Sequence, residues 1–138
     1  RDVTGVQTCA LPIYALTVFG MEGLDEISIC GPTMVGELKG GEVSEYTVEP
    51  KRFGLPLYHA SALTVGSVEE SREMVLTALE NKPGAARDIV ALNAGAAIYV
   101  AGKASSIEEG VEKALAVMAS GSARAKLDEF VKSTQQAG

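Results

Sequence analysis

MVGELKGGEVSEYTV, Met34 to Val48, decides the local fold. It holds two extended stretches around Lys39-Gly40-Gly41, where the glycines supply the positive φ angles of a tight turn. A β-hairpin is predicted there. Toward the N-terminus, EISIC (Glu26 to Cys30) is a short apolar run ending at Gly31-Pro32. Before it, YALTVFG (Tyr14 to Gly20) is rich in β-branched and aromatic residues and stops at a glycine ahead of a turn at Met21 to Leu24. Both runs are expected to be buried strands. Toward the C-terminus, Pro50 to Gly66 carries turn-formers and no steady period, which predicts a long surface connection.

From Ser67 the pattern turns helical. Ser67-Val68-Glu69-Glu70 and Ser106-Ile107-Glu108-Glu109 both fit the capping box, so each should begin a helix. Met74, Val75, Ala78 and Leu79 recur at helical spacing until Asn81-Lys82-Pro83-Gly84 stops them. Ile89, Leu92, Ala96 and Val100 mark a second helix ending near Gly102, with Asp88 in its first turn, where the macrodipole favours an anion. The small residues of LNAGAA, Leu92 to Ala97, suggest close packing against a neighbour. Ile107, Val111, Leu115 and Met118 form a third apolar stripe, and Leu127, Phe130 and Val131 a fourth, with fraying expected from Ser133 to Gly138.

Composition narrows the function classes. With 138 residues, 46% hydrophobic and 22% charged, the chain has the make-up of one domain, or a piece of one, around a single core. A net charge of -6 argues against a nucleic-acid face, since Lys51-Arg52 is the nearest thing to a basic cluster. No apolar run approaches the roughly 18 to 20 residues of a bilayer span, so no membrane partner and a cytoplasmic location are expected. Cys9 and Cys30 could form one bridge, but so apolar a chain does not need it, and Cys30 reads as a small buried hydrophobe. VTGVQTCALPI, Val3 to Ile13, matches the translation of a short-read sequencing adapter, so residues 1–13 are set aside as an adapter-like segment and 14–138 carry the fold.

Few residues offer chemistry. His59 is the single histidine, which excludes Ser/His/Asp and Cys/His nucleophilic sets and leaves no zinc site. In the long connection it reads as a solvated or packing residue. Gly40-Gly41 and Gly20-x-x-Gly23 are too short to cradle phosphate and are explained by turns. Asp25-Glu26 stands apart. Adjacent carboxylates just beyond a strand lie where open α/β sheets place ligands, and hard oxygens suit Mg²⁺ held with substrate phosphates. By position alone, an Asp-Glu pair at a strand edge is more often a solvated turn than a metal site.

The residues around that pair carry a family pattern. GMEGLDEIS, then GPTMVGELKGGEVSEYTVEPKRFGL, then GAARDIVALNAGAAIYVAGKASSIEEGVEKALAVMASGSARAKL resemble successive C-terminal blocks of the anthranilate phosphoribosyltransferases, in order and spacing. The similarity covers nearly all of Tyr14 to Leu127. It implies an α/β fold: part of the C-terminal α/β domain of the nucleoside phosphorylase/phosphoribosyltransferase fold, with short strands and a hairpin followed by about four helices. It also implies that Asp25 and Glu26 bind Mg²⁺, Glu26 being the better placed to bridge two ions. The implied reaction, part of tryptophan and hence aromatic amino acid biosynthesis, is a Mg-dependent pentosyl transfer. It joins anthranilate to phosphoribosyl pyrophosphate (PRPP) and releases pyrophosphate.

Departures from the pattern bear on activity. LTVGSVEESREMV replaces a stretch that in the family has a double glycine and an Asn-Ala pair. The family's pyrophosphate loop, its Lys-His-Gly-Asn block and its anthranilate-holding arginine belong upstream of Tyr14 and are absent, so no catalytic or substrate-binding residue is assigned. The helical N-terminal domain that builds the family's homodimer is missing as well. The chain alone is expected to be inactive and, with a sheet edge cut open, prone to aggregate. The remaining readings are a nucleoside phosphorylase of the same superfamily and a non-catalytic binding relative.

Overall fold

The computed structural model describes residues 14–136; Val3 to Ile13, the stretch read as adapter-like, with Cys9, and the last two residues lie outside them. Three strands form an antiparallel sheet in sequence order: β1 (Tyr14–Gly20), β2 (Thr33–Lys39) and β3 (Glu42–Val48). Gly40 and Gly41 take φ of 60° and 84°, both positive, as a two-residue turn between paired Lys39 and Glu42 requires. The expected hairpin is therefore present. Inward-facing Thr33, Val35 and Glu37 alternate with less buried Met34, Gly36 and Leu38, the period-two pattern of a sheet with one covered face.

Two strand readings need correction. β1 is a strand but only half-buried: it pairs with β2 alone among the described residues, and Phe19 on its outer face is 52% exposed. EISIC is not a strand at all, although Ile27, Ser28 and Ile29 are fully buried. Side chains and a neighbouring loop, not a β-ladder, take up its backbone groups. Cys30 is half-buried, less covered than expected.

The long connection lies mainly on the surface but contains two 3₁₀ turns, Pro50–Phe53 and Ala60–Leu63, and is pinned by buried Pro50 and Leu55. Four helices follow: α1 (Val68–Leu79), α2 (Ala85–Val100), α3 (Ile107–Ala119) and α4 (Ser122–Gln136). Ser67 and Ser106 cap α1 and α3 as expected, their hydroxyls accepting from the amides of Glu70 and Glu109. The return half of each box shifts one residue upstream. Glu70 accepts from the Gly66 amide at 2.6 Å, and Glu109 from both the amide and the hydroxyl of Ser105 at 2.7 Å. With Lys113 one turn on, these contacts hold the Glu109 carboxyl down at about 2.

The core lies between the sheet's inner face and the α2–α3 pair, with Leu92, Ala91 and Val111 nearly inaccessible. The small residues expected to allow close packing do so. A Cβ at Gly110 would fall 2.1 Å from the Gly95 carbonyl oxygen, and one at Gly95 would fall 2.5 Å from the Val111 nitrogen. The fourth stripe is different: α4 buries no residue, Phe130 is 64% exposed, and the helix continues to Gln136 where fraying was expected from Ser133. Among the described residues no helix is long and apolar enough to cross a membrane.

A buried carboxylate ties the sheet to α2. Glu37 is 8% exposed and accepts from the hydroxyls of Tyr14, Tyr46 and Tyr99, each at 2.8 Å. Lys39 donates to the Tyr99 hydroxyl at 3.1 Å and lies over the rings of both Tyr14 and Tyr99. Burial alone would raise the Glu37 pKa. The tyrosine hydroxyls, Tyr99 foremost, and Lys39 outweigh it and hold the carboxyl below its ordinary range. Burial, then contact with this charged cluster, pushes the Tyr14 and Tyr46 hydroxyls upward.

Two outcomes are expected. Gly110→Ala must separate α2 from α3, and a backbone clash of this kind belongs at or above the upper end of the about 1–3 kcal/mol usual for overpacking. An unchanged urea midpoint would refute the close approach. Because Glu37 has a folded pKa below its unfolded value, its stabilisation is present above the unfolded carboxylate value and lost as pH falls through the folded one. Glu37→Gln should therefore lower stability near neutrality by about 1–3 kcal/mol, with the gap closing below about pH 4. A gap independent of pH in denaturant titrations would count against a charged Glu37.

Candidate metal-binding turn

The chain leaves β1 at Gly20 and turns back at once. The Gly20 amide donates to the Leu24 carbonyl and the Gly23 amide to the Gly20 carbonyl, both at 2.8 Å, while the Met21 amide reaches the Pro32 carbonyl at 3.0 Å. Gly23 takes φ 101°, and a Cβ at Gly20 would lie 3.0 Å from the Leu24 Cβ, so both positions favour glycine. Asp25 and Glu26 follow, exposed, just beyond the C-terminal end of β1. The expectation of a pair between two buried strands is met on one side only, since EISIC forms no strand.

Beyond the pair the backbone dives inward. The Ile27 amide donates to Asn93 Oδ1 at 2.9 Å, and Asn93 Nδ2 donates to the Ile27 carbonyl at 2.9 Å and to the Ile89 carbonyl at 3.0 Å. The Ser28 amide donates to Thr33 Oγ1 and the Cys30 amide to Ser28 Oγ, both at 2.9 Å. The Tyr58 amide donates to the Ile29 carbonyl at 3.0 Å. Ser28 Oγ in turn donates to Glu22, which engages one carboxylate oxygen of the third acidic residue in the turn.

Other singled-out residues lie elsewhere. His59 is exposed, its ring accepting from the Ser61 amide at the start of the second 3₁₀ turn, which agrees with a solvated residue. Lys51 and Arg52 are exposed, and Arg52 pairs with Glu108 at 2.6 Å. Asp88 does stand in the first turn of α2, but its surroundings go beyond a helix-dipole contact. It is fully buried and accepts from the Tyr58 hydroxyl and from Arg87 Nε, both at 2.7 Å. Burial first, then Asp88, pushes the Tyr58 hydroxyl pKa up.

The donor chemistry of Asp25-Glu26 suits Mg²⁺: two hard carboxylates open to solvent allow an ion that keeps water ligands and takes further oxygens from a bound phosphate. Among the described residues no group of three or more His, Cys, Asp or Glu side chains is gathered to hold a metal. Sequence reading missed Asn93, Ser28 and Thr33, the residues that shape the turn. Asn93 did leave a signal: a polar side chain within an otherwise apolar helical run, where asparagine is unfavourable unless its amide is used.

Comparison with known proteins places this turn within a shared domain. A family model described as the glycosyl transferase family, a/b domain, matches residues 10–124. The anthranilate phosphoribosyltransferase of Polynucleobacter asymbioticus is 51% identical over 138 residues, 97% of this chain and 40% of that protein. The crystal structure of the anthranilate phosphoribosyltransferase from Thermus thermophilus has a TM-score of 0.77 at 38% identity, over 86% of this chain and 35% of that one. The Saccharomyces cerevisiae anthranilate phosphoribosyltransferase in complex with PRPP and Mg gives 0.76 at 26% identity, over 88% and 35%. The chain thus spans about 40% of the length of the curated relatives it matches. These neighbours bear out the α/β phosphoribosyltransferase fold and the family resemblance read from the sequence. With the acidic turn, the hairpin and the first three helices all inside the matched span, the chain belongs to the glycosyl transferase family through its a/b domain.

Proposed function

We propose that this chain is the metal-binding C-terminal part of an anthranilate phosphoribosyltransferase, and that Asp25 and Glu26 hold Mg²⁺ for the reaction of PRPP with anthranilate. The observation that carries this reading is the exposed carboxylate pair at the C-terminal end of β1, inside a span that relatives of that name share. The yeast relative solved with PRPP and Mg supports the choice of ion. When bound, Mg²⁺ supplies positive charge that neutralises the pyrophosphate leaving group. The chain's own residues contribute the holding of that charge: Asp25 and Glu26 present acceptor oxygens only, and neither moves a proton. The turn from Gly20 to Leu24 keeps the pair beyond the strand end, where a bound phosphate can reach it from solvent.

Substrate binding and the transfer itself belong to the complete protein. The complete protein is proposed to be a cytoplasmic homodimer that assembles through its N-terminal domain. Alone, the 138-residue chain should bind Mg²⁺ weakly and transfer nothing.

A chimera tests the reading. The P. asymbioticus enzyme, with the part that aligns to Tyr14 onward replaced by this sequence, should consume anthranilate in a Mg²⁺- and PRPP-dependent reaction. In that chimera Asp25→Ala plus Glu26→Ala should lower the rate by about 100-fold or more, the scale of losing stabilisation of developing charge. A double variant that turns over as fast as its parent would remove the pair from the metal site.

A further inference from the structure

We infer that Asn93, on α2, is a positioning residue for the acidic pair, acting through the backbone of Ile27; this rests on the reading of Asp25-Glu26 as a metal site. The side chain is 66 residues away in sequence and makes three hydrogen bonds of 2.9 to 3.0 Å, two of them to Ile27. Its Oδ1 accepts from the Ile27 amide, which lies in the same peptide plane as the Glu26 carbonyl. Fixing that plane fixes ψ of Glu26 and limits where its carboxylate can point.

The other flank is fixed in the same way. The Leu24 carbonyl, in the peptide plane that leads into Asp25, accepts from the Gly20 amide at 2.8 Å. Asp25-Glu26 is therefore a solvent-facing dipeptide held between two hydrogen-bonded planes, one anchored to β1 and the other to α2. Neither carboxylate is among the residues that touch Asn93 through a hydrogen bond, so the amide works on geometry and not as a ligand.

Only a carboxamide of this length fits the role. Oδ1 must accept from Ile27, and the two Nδ2 protons must reach Ile27 and Ile89. Aspartate, nearly the same shape, keeps the acceptor but presents a carboxylate to the Ile27 carbonyl. Alanine leaves the Ile27 amide and carbonyl, buried with their residue, without partners. Partners that orient metal ligands in this indirect way typically change metal affinity by about 10- to 100-fold.

The test uses Mn²⁺ as the probe, its free and bound forms resolved by electron paramagnetic resonance, on the 138-residue chain and its variants. Asn93→Asp and Asn93→Ala should keep helical circular dichroism, weaken Mn²⁺ binding about 10-fold or more, and speed hydrogen exchange of the Ile27 amide. Met118→Ala, which loosens the buried face of α3, should lower stability with Mn²⁺ affinity unchanged, so weakening caused merely by instability is separated from loss of positioning. Asp25→Ala plus Glu26→Ala should abolish binding yet leave Ile27 exchange slow. Position 93 variants that bind Mn²⁺ like the wild type, while the acidic double variant does not, would overturn the positioning role and leave the metal site standing. Binding unaffected by the acidic double variant would overturn the site reading and the positioning role with it. Should neither position 93 variant fold, the wild-type Asn93 side-chain amide decides: protons exchanging as fast as those of a free carboxamide would overturn the inference, and slowed ones support it.

Discussion

A backbone that is buried without joining a β-ladder must find hydrogen-bond partners among side chains or neighbouring loops, because an unpaired buried amide or carbonyl costs roughly 1–3 kcal/mol. Ile27 to Ile29 is such a segment, and the arrangement around the acidic turn follows from it. Asn93 serves Ile27, Thr33 serves Ser28, and the Tyr58 backbone serves Ile29. These partners come from α2, β2 and the long connection, so one short stretch of satisfied backbone joins three parts of the fold. The apolar gain is local: Ile27 and Ile29 enter the core while the two residues before them remain in water.

α2 is the element on which these demands converge. Asp88 on its first turn accepts from Tyr58, Asn93 holds Ile27, Gly95 admits the backbone of α3, and Tyr99 donates to Glu37. Asp88, Gly95 and Tyr99 recur at spacings of seven and four and so lie along one stripe of the helix, while Asn93 stands on another side. The close approach at Gly95 and Gly110 also makes the position of α2 stiff, since interhelical backbone contact allows little sliding. Through Asn93 the Ile27 peptide is hydrogen-bonded to that same helix.

Much of the fold was legible because its signals are local. Gly40-Gly41 specifies its own turn geometry, Ser67 and Ser106 cap the helices they precede, and the stripe from Ile107 to Met118 shows its period within one segment. EISIC misled for the opposite reason. A short apolar run says that a segment is buried but not who bonds its backbone, and the partners lie up to 66 residues away. The Glu37 cluster was invisible for a related cause, since Tyr14, Tyr46 and Tyr99 come together only through strand register and the docking of α2. For the acidic pair, composition and position favoured a solvated turn over a metal site. What reversed that preference was the resemblance of the flanking blocks, which the family match bears out.

Two kinds of carboxylate in this chain show why environment and not residue type sets the role. Glu37 has its oxygens covered by three hydroxyl donors and a cation close by, so its charge is spent within the fold. Three of its roughly four acceptor sites are already taken within the fold. Asp25 and Glu26 are exposed, and their flanking peptides, not their oxygens, carry the fixed hydrogen bonds. Restraining the backbone while leaving the oxygens free lowers the ordering needed when a cation and a phosphate arrive, because fewer torsions remain to be frozen. A carboxylate tied by side-chain donors would have to give those donors up first. The same reasoning places Glu22 between the extremes, with one oxygen engaged by Ser28 and its side chain committed to shaping the turn.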